Sequence, residues 1–266
     1  MSKQNSSRGR QDKSSPKKTQ QKSQPKTSTE GIRLNKYIAH AGICSRREAD
    51  VYIKSGSVTV NGKTITEMGY KVQPDSEVRF DTRLINPEVH RYVLLNKPKN
   101  YITTVEDDRG RRTVMDLIQK AAKERLYPVG RLDRNTTGLL LFSNDGEMTK
   151  KLTHPKHKVH KLYHVTLDKK VSLNHLREIA DTSFKIEDKR VFVDAISYIG
   201  NKPKSEIGIE IHSGRNRIIR KIFESLGYTV IKLDRTIFAG LTKKNLPRGF
   251  WRHLTQQEVN NLKMIK

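Results

Sequence analysis

Leu139-Leu-Leu-Phe142 is a short, unbroken apolar run, which fits a strand covered on both faces. A chain holding such a strand must build a sheet with an apolar layer on each side of it. The stretch just before the run, GRLDRNTTG from Gly130 to Gly138, sets an acid, Asp133, between Arg131 and Arg134. Gly130 permits a sharp turn into this stretch, and Gly138 allows backbones to approach closely where the strand begins. Asp133 is therefore expected on a loop anchored by a central strand, where a rigid scaffold presents functional groups. The flanking arginines set positive charge on either side of it, and a carboxylate nucleophile works as the anion. On this stretch alone two readings stay open: a structural aspartate in a turn, or an anion held ready for chemistry.

Further strands are predicted at residues 92–95, 163–167, 191–193, 207–211 and 229–233, and helices over 114–126, 218–226 and 256–264. Pro98 stops the first of these strands. Several strands follow one another without helices between them. This pattern predicts an α+β fold with a mostly antiparallel mixed sheet, not a doubly wound one.

Ahead of it lies a smaller unit. Leu34, Tyr37, Ile38 and Ala41 keep the spacing of one helix face, and Gly42 suits its end. Ser45-Arg-Arg-Glu48 is a capping-box sequence, opening a helix that turns Ala49, Tyr52 and Ile53 inward. Val58-Thr-Val60, Asn61-Gly62 and Lys63-Thr-Ile65 then spell a type I′ hairpin. The two helices carry Arg33, Lys36, Arg46, Arg47 and Lys54 with few acids between them, which favours a phosphate-binding surface over a merely solvated face. Cys44 reads as a packed small apolar residue.

Charge bounds the partners. The 266 residues carry a formal net charge of +25, with a hydrophobic fraction of 34%. Eight Lys and Arg against Asp12 and Glu30 put +6 of this in the first thirty residues, leaving +19 to the rest. Those thirty hold no large apolar side chain besides Met1, so residues 1–31 are expected to be a disordered basic tail. A folded part this basic favours a polyanion, nucleic acid before membrane. A single cysteine excludes an internal disulfide and any Cys-based zinc site, and fits a reducing compartment. No run approaches the ~20 apolar residues of a membrane span, and the start lacks the apolar core of a secretory signal or the apolar face of a transit peptide. The expected location is cytoplasmic.

Two more segments bear on Asp133. Lys161-Leu-Tyr163-His-Val165 places a tyrosine at a strand start among basic residues. Gly214-Arg215-Asn-Arg217-Ile-Ile-Arg220 opens a helix with three arginines, Arg217 and Arg220 being i, i+3 neighbours. An amphipathic helix accounts for the isoleucines but not for that density of guanidinium at an anion-favouring helix start.

Together these motifs resemble the RsuA/RluB family of S4-domain-containing ribosomal RNA pseudouridine synthases. GRLDRNTTGLLLFSNDGE is similar to the family's GRLDxxTxGLLLxTxDG block, with Ser143 where Thr is common. KLYHV resembles its KxYxV block, and GRNRIIRKIFESLGYTVIKLDR its GRNRQVRRMF block and the residues after it, with Ile218 in place of Gln. VLLNKPKNYITTVEDDRGRRTVMDL is similar to the opening of the same domain, with Asn100 where Gly is frequent, and GFWRHLTQQE to its end. RLNKYIAHAGICSRREADVYIKSGSVTVNGK resembles the S4 RNA-binding domain. The likeness runs over about residues 33–258. It implies a small N-terminal S4 (α-L type) unit with its linker over 32–90 and a pseudouridine synthase domain over 91–266.

The resemblance also implies roles. Asp133 would be the catalytic carboxylate, Arg220 the arginine that pairs with it, and Tyr163 the ring that stacks on a flipped uracil and can take part in proton transfer. Arg131 would enter the RNA stack beside that base, and Leu233 would wall the uracil pocket. Arg134, Arg215 and Arg217 join them as RNA-binding candidates, with Arg33, Lys36, Arg46, Arg47 and Lys54 on the S4 unit. The reaction isomerises a uridine already in RNA, so no cofactor is expected, in keeping with a chain that has neither GxxxxGK[ST] nor GxGxxG. His154, His157, His160 and His164 lie among lysines that oppose a divalent cation, and no metal is expected there. The expected partner is ribosomal RNA or a ribosomal assembly intermediate, bound by a monomer. GLLLF followed by SNDGE resembles members acting on large-subunit more than on small-subunit rRNA. A non-catalytic RNA-binding assembly factor is the rival, and the presence of Asp133, Tyr163 and Arg220 together speaks against it.

Overall fold

The computed structural model describes Met1 and residues 31–265; the expected tail lies almost wholly outside them. The first unit packs helices α1 (Leu34–His40) and α2 (Arg46–Lys54) against short strands. The capping box forms as its sequence predicts: Glu48 N–H donates to Ser45 Oγ at 3.3 Å, and Ser45 N–H donates to Glu48 Oε2 at 2.6 Å. Leu34, Ile38, Ala49 and Ile53 are buried with Cys44, Val58, Val60 and Val78 in one apolar cluster. Strands Val58–Val60 and Lys63–Thr64 pair across Asn61 (φ 49°) and Gly62 (φ 77°), both left-handed as a type I′ turn requires. Tyr52 departs from its prediction. Ala49 and Ile53, one turn apart, take the core side of α2, which leaves Tyr52 at the rim, 39% exposed and edge-on to Phe80.

The second unit is built on a nine-stranded sheet. Along its main path the strands run Ala195–Tyr198, Glu206–Ile211, Lys161–Leu167, Val230–Phe238, Thr137–Ser143, Tyr92–Lys97 and Trp251–His253, with Leu241–Thr242 and Tyr127–Pro128 pairing to the side. Every pairing is antiparallel except that of Val230–Phe238 with Thr137–Ser143, where Asp234 meets Thr137 and Arg235 meets Gly138. The fold is thus α+β on a mixed, mostly antiparallel sheet.

Leu139 to Phe142 are each 0% exposed, so burying each is worth roughly 1.5–3 kcal/mol. Successive side chains of a strand point to opposite faces. Leu140 and Phe142 accordingly join one core with Val93, Leu95 and the apolar face of α5 (Ile218–Ser225), and α4 (Leu173–Ala180) covers the same side. Leu139 and Leu141 join the other core with α3 (Gly146–Thr153) and α6 (Gln256–Met264).

Two predicted elements are corrected. Residues 114–126 are not an α-helix: Thr113 caps a single 3₁₀ turn, Val114–Leu117, and the chain then runs irregularly to Tyr127. Val114, Ile118 and Ala121 do have helical spacing, but each is simply an anchor of the chain draped over the sheet. Residues 191–193 form no strand either. They follow a small hairpin, Lys185–Ile186 with Lys189–Arg190, which Val191 closes by donating its N–H to Phe184 O at 2.9 Å. Val191 is buried there and Phe192 points out.

Candidate active site

The loop before the central strand is held from several sides. Gly130 has φ 76°, and Val129 N–H donates to Leu141 O at 2.7 Å, so the chain leaves one strand edge and turns sharply. Thr103 Oγ donates to Leu132 O at 2.8 Å and accepts from Leu132 N–H at 3.2 Å, fixing the residue ahead of Asp133. Thr136 N–H donates to Asp133 O at 3.0 Å. Beneath the loop lies Lys97, 0% exposed, whose ammonium donates to Thr136 O at 2.8 Å, to Asp133 O and Pro98 O at 3.1 Å, and to Arg134 O at 3.4 Å. Burial pushes its pKa down to about 8, opposed by the charge of Asp133 and assisted by that of Arg248. One cation thus gathers the carbonyls of the whole turn.

At the strand start, Gly138 has φ 106°, and a Cβ there would stand 2.2 Å from Arg235 O. Only glycine lets the two parallel strands meet at this point. On the far side of that contact Asp234 accepts from Thr137 Oγ and from Arg248 Nη1, each at 2.8 Å, and pairs with Lys243. The Asp133 loop is therefore braced on both of its flanks.

Asp133 opens onto a cavity of about 510 Å³. Arg131, Asp133, Arg134, Tyr163, Arg215, Arg217 and Leu233 all line it, so most of the predicted site residues are brought together. Tyr163 and Leu233 are buried on neighbouring strands, two residues apart in register: Tyr163 faces Arg235, and Val165 faces Leu233. Asp133 is the one carboxylate of this lining, and among the described residues its side chain makes no hydrogen bond or ion pair.

Arg220 is placed otherwise than predicted. Arg217 has left-handed φ of 50° and precedes α5, so only Arg220 is within the helix. The Arg220 guanidinium is buried and donates through Nη1 to Val230 O at 2.9 Å; it is not hydrogen-bonded to Asp133, although the Asp133 charge reaches it. Burial and the neighbouring Arg217 lower its pKa, and Asp133 and Glu224 raise it.

Four residues escaped the sequence reading. Lys97 and Thr103 shape the loop. Lys161 lines the cavity, donates to His212 O at 2.8 Å and Val159 O at 2.9 Å, and is pushed down to about 8 by burial and then by Arg235, with Asp194 opposing. Arg235 also lines it, 3% exposed, donating through Nε to Leu139 O at 2.8 Å with its guanidinium 4.6 Å from the Phe238 ring centre. Lys97 ends its strand at the NKP turn, and Lys161 and Arg235 lie within KLYHV and KLDR. An interior cation on a strand is hard to tell from a surface one by pattern alone.

On the S4 unit Arg33, Arg46, Arg47 and Lys54 are exposed, and Lys36 is paired with Glu147 at the start of α3. The histidines disperse: His164 bonds Glu206, His160 lies 3.1 Å from Glu210, and His154 accepts from Lys156 N–H at 3.2 Å. Among the described residues no group of three or more His, Cys, Asp or Glu could hold a metal ion, and no helix is long and apolar enough to cross a membrane.

Residues 91–225 match the family model described as RNA pseudouridylate synthase, and residues 32–78 match the S4 domain. A Bacillus subtilis (strain 168) protein named ribosomal large subunit pseudouridine synthase B is 40% identical over 88% of this chain and 96% of its own. The Escherichia coli (strain K12) dual-specificity RNA pseudouridine synthase RluF is 35% identical over 87% of this chain and 78% of its own. A solved structure, a crystal structure of pseudouridylate synthase, superposes with a TM-score of 0.60 at 28% identity, covering 87% of this chain and all of that one. With an S4 domain in front of a braced aspartate loop, and relatives matched over 78% or more of their own lengths, the chain belongs to the RNA pseudouridylate synthase family.

Proposed function

We propose that this protein isomerises a specific uridine of large-subunit ribosomal RNA to pseudouridine, with Asp133 as the catalytic carboxylate. The observation that carries the reading is a carboxylate that is unpaired among the described residues and is the only one of them lining a cavity of about 510 Å³, otherwise edged by arginines, a lysine and a buried tyrosine. The large-subunit assignment draws on the Bacillus subtilis relative's name. In the reaction the bond from C1′ to N1 breaks, uracil turns over and C5 joins C1′; a proton leaves C5 and one arrives at N1. Oxidation states balance within the nucleotide, so the chemistry calls for no cofactor.

Asp133 acts at C1′ from a loop that Lys97 and Thr103 hold in place, which limits the reorganisation needed at the moment of reaction. Tyr163 offers its ring to the flipped uracil and its hydroxyl for proton transfer, and Leu233 closes the apolar side. Arg220 contributes long-range charge to Asp133 and stiffens the start of α5. Arg131 fills the gap left by the extruded base, offsetting part of the few kcal/mol that flipping costs. Arg134, Arg215 and Arg217 take backbone phosphates at the cavity mouth, and Arg33, Arg46, Arg47 and Lys54 dock structured RNA through the S4 unit.

Separate apolar clusters, one from Leu34 to Ile85 and the others from Tyr92 to Leu262, support a docking unit over 32–90 and a catalytic unit over 91–266. A cytoplasmic monomer acting on ribosomal RNA or an assembly intermediate is the setting we infer. The test is to map pseudouridine in rRNA from cells lacking the gene, complemented with wild type or Asp133→Asn. One large-subunit site should vanish and return only with wild type. If no site depends on Asp133 while the protein still binds ribosomal particles, it is a binding factor.

A further inference from the structure

A second groove, of about 470 Å³, adjoins the catalytic cavity. The two share Thr153, Ser213, Gly214 and Arg215, so a strand leaving the cavity passes directly into it. Lys158, Arg190 and Arg215 line it, and no carboxylate does. Asp194, two residues beyond Phe192, is engaged by His212 at 2.7 Å and His160 at 3.7 Å. The side chains of Lys158 and Arg190 make no hydrogen bond or ion pair among the described residues. Arg215 spends one N–H on Arg190 O at 2.8 Å, which ties the two walls together, and its remaining guanidinium donors have no partner there.

Phe192 belongs to this lining and is 50% exposed, between Val191 at 3% and a partly buried Val193. Its outward direction is fixed by the burial of Val191 behind the hairpin, so the ring is presented rather than loose. An exposed aromatic face beside free cations is the arrangement that takes one unpaired base and its phosphate: the ring stacks on any base, and the cations follow the backbone. The volume lies within the usual range for a small-ligand site.

Resting on the function proposed above, we infer that this groove seats the unpaired nucleotide adjoining the target uridine. Its base stacks on Phe192, and its phosphate is held by Lys158, Arg190 and Arg215. The site gives the enzyme a second nucleotide to grip when the target leaves its own stack, a grip largely indifferent to base identity.

The experiment uses the full chain and an rRNA fragment carrying the mapped uridine, comparing wild type, Phe192→Ala and Phe192→Trp by steady-state pseudouridine formation. An abasic site is also scanned through the nucleotides on each side of the target. Phe192→Ala should raise KM about tenfold with kcat within about twofold, and Phe192→Trp should keep the wild-type KM. At one flanking position the abasic RNA should raise the wild-type KM by a similar factor and have no further effect on Phe192→Ala. A wild-type KM indifferent to abasic sites at every position overturns the inference, as does an unchanged KM in Phe192→Ala. If wild type itself makes no pseudouridine, the enzymatic reading fails and the subsite fails with it; an active wild type with an indifferent Phe192 removes the subsite alone.

Discussion

Replacing Lys97 by methionine keeps the length and apolar stem of the side chain and removes the ammonium that gathers the Asp133 turn. Of its four acceptors, Asp133 O keeps the N–H of Thr136 and Arg134 O keeps that of Asn100, but Thr136 O and Pro98 O lose a donor seen at 2.8 and 3.1 Å. Two stripped carbonyls cost roughly 2–6 kcal/mol at about 1–3 each. Against this stands relief from burying a charge: the shift from 10.5 to about 8 corresponds to about 3 kcal/mol. The terms nearly cancel, so Lys97→Met should lose no more than about 3 kcal/mol of stability at neutral pH.

Catalysis should not be spared in the same way. A turn released from its central cation moves the Asp133 carboxylate, and a displacement of about 1 Å can cost roughly a hundredfold in rate. Lys97 is thus a positioning residue, and the expected signature is a kcat about a hundredfold lower in a folded protein whose RNA affinity is unchanged. The pH dependence supplies an independent check. Below pH 8 the lysine is charged in both folded and unfolded chains, and the burial penalty is fully present. Between about 8 and 10.5 the folded chain gives up the proton first, so wild type gains stability relative to the methionine variant as pH rises. Urea unfolding at pH 7 and pH 10, with single-turnover rates on rRNA, measures both. A kcat within threefold of wild type, or a stability difference that does not move with pH, would refute the argument.

Two further outcomes are expected. In Asp234, burial raises the carboxyl pKa, but hydrogen bonds from Arg248, Lys243 and Thr137 outweigh it and hold the group at about 2. Its contribution, about 2 kcal/mol, is present above the ordinary value near 3.8 and is lost as pH falls towards 2. The stability gap between wild type and Asp234→Asn should be constant from pH 6 to 4.5 and close below that; parallel acid limbs in urea unfolding would contradict it. Gly138→Ala sets a methyl 2.2 Å from Arg235 O and 2.5 Å from Arg235 N, both backbone atoms, at a φ that alanine rarely adopts. A loss of at least about 3 kcal/mol should appear in thermal unfolding, and a loss under about 1 kcal/mol would mean that the strands part easily.

Much of this site is legible from residues alone, because the features that build it are local. The Ser45–Glu48 box, the Asn61-Gly62 turn, and the two glycines around the Asp133 loop each need particular residues at fixed offsets, so the sequence announces them. What escapes is whatever depends on a partner far along the chain. Val114, Ile118 and Ala121 satisfy a helical pattern, and nothing local reveals that one 3₁₀ turn and a draped segment bury them equally well. Val191-Phe192-Val193 has strand-forming residues, yet no neighbouring strand receives them. Arg220 is expected to pair with the aspartate from the family resemblance alone, and no local pattern reveals that its guanidinium is buried and donates to Val230 O instead. Lys97 is invisible for the opposite reason: its acceptors are backbone carbonyls, which carry no residue identity.

The single parallel pairing has a consequence in time. The strand that carries the Asp133 loop lies between a neighbour made earlier, Tyr92–Lys97, and one made much later, Val230–Phe238; the hydrogen bond from Thr137 to Asp234 spans 97 residues. During synthesis the S4 unit closes its core by Ile85, from contacts close in sequence. The aspartate turn has to wait for the strand Val230–Phe238, since non-local pairings form only once both partners have emerged. A nascent chain can therefore expose an RNA-docking surface well before it possesses a finished active centre. An enzyme of ribosomal RNA built this way is expected to stay chemically silent towards the ribosome making it until the strand Val230–Phe238 has left the tunnel.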